Sequence, residues 1–75
     1  MPKFEFEIVK HFATLSEKKT MAKEFNLVSF NGEEPKYDIR VWQNPHSEEA
    51  IMLKGITLTK DEVIKLKEAL NNIKL

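Results

Sequence analysis

Lysine, arginine and tryptophan recur on one side of a short alternating segment, residues 35–42 (PKYDIRVW). Tyr37, Ile39 and Val41 alternate with Lys36, Asp38, Arg40 and Trp42, the period-2 pattern of a strand with one buried face. The face left for solvent then carries two cations and an indole. Cations neutralise phosphates, and a flat ring stacks on an unpaired base for roughly 1–3 kcal/mol whatever the sequence. A single-stranded nucleic acid is the polymer such a face suits, because its bases are free to stack.

Four strands and a helix position these residues. Phe4, Phe6 and Ile8 alternate with Glu5 and Glu7, and the phase shifts near Lys10, so a bulge is expected before the strand ends at about Leu15. Residues 16–20 (SEKKT) read as a turn. A second strand runs over 22–30, with Phe25 and Leu27 on one face and Asn26, Val28 and Phe30 on the other. Asn31-Gly32 supplies the positive φ that a tight connection needs. The third strand covers 36–42, and Asn44-Pro45 breaks it. The fourth, Ile51–Leu58, contains Gly55 at an expected bulge. Thr59-Lys60-Asp61-Glu62 fits a capping box that opens a helix.

Val63, Leu66, Leu70 and Ile73 form an apolar stripe along that helix. Ile64 lies roughly 100° away and leaves a second surface for a partner subunit. The order ββββα with hairpin-length connections gives an α+β fold: a four-stranded, antiparallel, strongly twisted sheet with one C-terminal helix. The helix can cover only one face. If it covers Phe25, Leu27, Ile39 and Ile56, then Phe30, Lys36, Arg40, Trp42 and Lys54 share the open one.

Seventy-five residues make one domain, 1–75, with a core small enough that dimerisation is the expected extra source of stability. Twelve basic and twelve acidic residues cancel, which weighs against nucleic acid unless the cations are grouped locally. Lys18, Lys19 and Lys23 do cluster, while acidic pairs fall at Glu33-Glu34, Glu48-Glu49 and Asp61-Glu62. No apolar run approaches the ~20 residues of a membrane span and no signal-peptide pattern opens the chain, so a cytoplasmic protein is expected.

Enzyme chemistry finds no support. Adjacent glutamates point apart in a strand or turn, no serine–histidine constellation exists, and Gly32 and Gly55 cannot build a phosphate loop. Without cysteine, and with only His11 and His46, no metal-ligand spacing is present. Both histidines are read as surface or satisfied residues. Neither a metal, a cofactor nor a small-molecule substrate is expected.

DIRVW followed by KGITLTKDEVIKLKEAL, with VSFN ahead of them, resembles the transcriptional coactivator positive-cofactor-four family, whose small bacterial members carry KYDIR-x-W and a V-S-aromatic-N segment. The resemblance covers about 6–70. It implies a homodimer joined through the C-terminal helices, here Ile64, Leu66, Leu70 and Ile73, and single-stranded DNA crossing the sheet with little sequence preference. By position it implies Phe30 and Trp42 as stacking rings, and contacts from Arg40, Lys54 and the backbone at Gly55. Lys36 is a looser match, and Lys23 is added for its charge. Two departures matter. The family's basic turn is Glu33-Glu34-Pro35 here, and no serine- or lysine-rich tail is present, so binding transfers and coactivation does not.

Other uses of the same residues stay open. Trp42 at a strand end also suits closing a core. Arg40 and Asp38 suit an ordinary ion pair, and Lys54 a solvated lysine beside a bulge. A tryptophan–arginine face equally fits a protein-interaction module, and stacking alone does not separate DNA from RNA.

Overall fold

A computed structural model describes residues 5–75 of the protein. Its elements are β1 (Phe6–Lys18), β2 (Met21–Phe30), β3 (Lys36–Gln43), β4 (Ile51–Leu58) and α1 (Lys60–Asn72). The strands form one antiparallel sheet in the order β1-β2-β3-β4. The expected ββββα architecture is therefore the observed one. Phe4, expected to start the first strand, lies outside the described residues.

The turn expected over 16–20 is shorter than that. Ser16, Glu17 and Lys18 pair with β2, and only Lys19-Thr20 turn the chain, with Lys19 at φ 55°. Asn31 and Gly32 take φ 53° and 76°, as the Asn-Gly pair requires. Asn31 also ties back to β1: its amide donates to the Glu5 carbonyl at 2.7 Å, and its Oδ1 accepts from the Glu5 amide at 2.8 Å.

One bulge is expected in β1 and three occur, between Ile8 and Lys10, His11 and Ala13, and Thr14 and Ser16. Each adds a residue to β1, which runs three residues longer than β2 over the same ladder. Bulges bend a strand and raise its twist. They also reset its phase: Phe6, Ile8, His11, Thr14 and Glu17 pair with Phe30, Val28, Asn26, Glu24 and Ala22, so all five share one face.

That face is the one carrying Trp42, and the sheet coils over it. The fully enclosed side chains are Trp42, Val28, Glu24, Asn26 and Asp38, with Ala22 also buried. The opposite face holds Phe25, Leu27, Tyr37 and Ile39, which are only half-buried, and Ile56, which is exposed. The expected inside and outside of the sheet are thus exchanged. A flat sheet would have put the charged face in water. The coil imposed by β1 encloses it instead.

α1 begins as its capping box dictates: the Glu62 amide donates to Thr59 Oγ1 at 3.2 Å, and the Thr59 amide to Glu62 Oε1 at 2.8 Å. Among the described residues the helix approaches only β3 and β4 closely. Val63 is half-buried, but Leu66, Leu70 and Ile73 remain exposed, as does Ile64. A cavity of ≈ 280 Å³ separates Phe25 from Val63, Leu66 and Leu70. The helix therefore does not seal the apolar face of its own sheet.

Candidate nucleic-acid interface

Four of the seven residues expected to contact nucleic acid line one groove. Lys23, Arg40, Lys54 and Gly55, with Ile39, Val41 and Ile56, surround a volume of ≈ 270 Å³. The register explains the gathering. Lys23 pairs with Val41, Arg40 pairs with Gly55, and the ladder shift between Arg40 and Trp42 leaves Leu53 and Lys54 bulged on β4. The bulge expected at Gly55 lies just before it. Gly55 is needed for a different reason: a Cβ there would stand 2.6 Å from Arg40 Cβ and 2.6 Å from the Ile39 carbonyl oxygen.

Arg40 is anchored rather than loose. Its Nε donates to both Asp38 oxygens, at 3.0 and 2.8 Å, and its Nη1 donates to the Leu53 carbonyl at 2.8 Å. The side chain is 15% exposed and Asp38 is enclosed. Its remaining guanidinium nitrogen, Nη2, has no hydrogen bond to any described residue. The pair therefore pins the β4 bulge. Lys23 and Lys54 are exposed.

The other expected contacts fall elsewhere. Lys36, exposed, pairs with Val28 toward the β2–β3 connection, and half-buried Phe30 lies at the same end of the sheet. Trp42 needs the larger correction. It is 0% exposed, with the Phe6 ring 4.9 Å away centroid to centroid and its Nε1 without a hydrogen-bond partner among the described residues. It offers no face to a base, because the coiled sheet has folded Phe6 over it. Closing the core is what Trp42 does here.

Aromatic surface exists on the opposite face, where sequence reasoning placed none for binding. Phe12 stacks near-parallel to Tyr37, 5.8 Å apart at 17°, and lies 4.9 Å from Phe25. Phe12 escapes a sequence reading because the bulge beside it breaks the alternation.

The histidines, read as surface or satisfied residues far apart in sequence, converge on one buried glutamate. His46 Nε2 lies 2.9 Å from Glu24 Oε2 and His11 Nδ1 lies 3.6 Å from Glu24 Oε1. Nothing in their spacing along the chain signals this, since it depends on β1 and the β3–β4 loop meeting over β2.

An open antiparallel sheet, a capped C-terminal helix and a groove bordered by two exposed lysines make up a small open-sheet domain. The sequence matches the family described as transcriptional coactivator p15 (PC4) over residues 17–69, and the chain belongs to that family. It is a non-enzymatic family that binds single-stranded DNA. The chain is also 37% identical over 73 residues to a protein of Treponema pallidum (strain Nichols) described as uncharacterized, an alignment spanning 96% of this chain and 82% of that one. No helix among the described residues is long and apolar enough to cross a membrane.

Proposed function

We propose that the protein binds single-stranded DNA without sequence preference, through phosphate contacts along the β3–β4 groove. The observation that carries this reading is the gathering of Lys23, Arg40, Lys54 and Gly55 around one groove in a member of this family. Lys23 and Lys54 supply mobile charge at this groove, and Arg40 borders it while its guanidinium is held by Asp38 and the Leu53 carbonyl. Gly55 contributes its exposed main chain at the edge of the groove. Lys36 and Phe30 lie on the other face of the sheet, toward the β2–β3 connection, and are not part of this groove.

The working unit is a homodimer. Ile64, Leu66, Leu70 and Ile73 are all exposed on α1, next to an incompletely covered apolar face. Apolar area of that kind in a chain this small favours a second copy.

A fluorescently labelled thymine oligomer, followed by anisotropy at low and moderate salt, tests the proposal. Saturable binding that weakens with salt, and weakens again in Lys54→Ala, is the expected result. Salt-independent binding, or none by a folded dimer, rejects it and favours a protein-interaction surface.

A further inference from the structure

Five nitrogen and oxygen atoms from three separate segments converge beside β2. Glu24, 2% exposed, presents Oε2 to His46 Nε2 at 2.9 Å and Oε1 to His11 Nδ1 at 3.6 Å. Asn26 Oδ1 sits 2.6 Å from the same His11 nitrogen, and Asn26 Nδ2 donates to Glu24 Oε1 at 3.1 Å, which fixes the amide's orientation. The two histidine nitrogens and the Glu24 carboxylate all lie within 4.8 Å of one another. Three protons, one from the Asn26 amide and two from the imidazoles, bridge these acceptors, and a cation can take the place of the imidazole pair.

We propose that His11, Glu24 and His46 form a binding site for a divalent transition-metal ion of the zinc class. Two imidazoles and one carboxylate are the donor set that borderline ions such as Zn²⁺ favour; Mg²⁺ and Ca²⁺ prefer all-oxygen sites, and no thiolate is present to select Cu(I). Bonds of about 2.0–2.1 Å in a tetrahedron place ligand atoms about 3.3 Å apart. The 2.9 and 3.6 Å separations bracket that value, and the exposed His46 ring can close the remainder.

The surroundings support the donors. Thr14 Oγ1 stands 3.2 Å from His11 Nε2 and orients the ring, whose Nδ1–H donates to Asn26 Oδ1 until an ion takes its place. Asn44 and His46 both take the left-handed backbone, at φ 50° and 62°, and the Asn44 amide donates to the Thr20 carbonyl at 2.7 Å. The β3–β4 loop is thereby held over the β1–β2 hairpin with His46 turned inward. An adjoining cavity of ≈ 630 Å³, reaching Glu17 and Thr20, leaves room for a water or a further oxygen donor at the fourth position. A bound ion would clip three chain segments together.

The test uses the full chain, stripped with a chelator and then titrated with Zn²⁺ by calorimetry and with Co²⁺ by visible absorption. One ion per chain is expected, with Co²⁺ giving the intense d–d bands of a four-coordinate site. His46→Gln and His11→Gln should each weaken Zn²⁺ binding at least about tenfold, since loss of a ligand costs no less than loss of a supporting group. His46 is exposed, so its replacement leaves the core intact, and buried-type Trp42 emission verifies that both variants are folded. Failure to saturate at one ion per chain, or undiminished affinity in either variant, overturns the site. DNA is absent from the experiment, so its outcome is independent of the nucleic-acid reading.

Discussion

Phe6 packs its ring against Trp42, 4.9 Å between centroids and tilted by 55°, although their β2 partners, Phe30 and Ala22, stand at opposite ends of that strand. Only a coiled sheet brings two such positions together. The contact therefore measures the coil, and it decides which face of the sheet is interior.

Phe6→Ala should expose the indole. The ring pair alone contributes about 0.5–1.5 kcal/mol beyond the area it buries. Emission of Trp42, the sole tryptophan, is expected to shift to the red and become quenchable by acrylamide. In the parent protein a thymine oligomer should leave that emission nearly unchanged even while it binds. Strong quenching by the oligomer in the parent would mean that the ring is reached by bases after all.

Arg40→Ala removes the only described partner of the enclosed Asp38 carboxylate, and breaking a buried pair in this way costs about 3–5 kcal/mol. Adding Asp38→Asn should recover part of the loss. Urea denaturation of the single and double variants measures both. A loss under about 1 kcal/mol in Arg40→Ala would place the pair among ordinary surface bridges.

Gly55→Ala forces a methyl to within 2.6–2.7 Å of Arg40 and Ile39 atoms, two of them main chain. Overpacking of this kind costs about 1–3 kcal/mol. Amide exchange should quicken along the β3–β4 ladder and stay slow between β1 and β2. Unchanged protection would show that the strands separate without difficulty.

Lys23→Ala and Lys54→Ala should weaken binding to any thymine or mixed oligomer alike. Each should lower the salt slope by about 0.7 for every phosphate that the lysine neutralises in the parent. Salt titrations read this directly. A sequence-dependent effect would point to recognition of the bases instead.

Leu70→Glu puts a charge on the exposed helix stripe and should convert dimer to monomer in sedimentation equilibrium. A parent that is itself monomeric at high concentration removes the proposed interface.

Much of this architecture is legible in the chain. The helix start can be placed because Thr59 and Glu62 are local partners, and β2 and β3 because their side chains keep a period of two. Trp42 is misplaced by the same reasoning because neither signal says which face a sheet coils toward. In β1 the residues on the Trp42 face, Phe6, Ile8, His11, Thr14 and Glu17, are spaced by two and then by three, a pattern that three bulges create and that alternation cannot express. The convergence of His11, Glu24 and His46 is invisible for the same reason. The groove fares better, since Lys54 and Gly55 follow a recognisable segment, yet its location rests on a β4 bulge one step away from where it is expected.

The sheet's spatial order repeats its order along the chain, so every ladder joins strands that are neighbours in sequence. Folding kinetics should reflect this. Local hairpins close with little loop entropy to overcome, and such topologies fold fast for their size. The indole is enclosed only when the first strand has curled across the third, which makes its emission a clock for the last step of sheet assembly rather than the first.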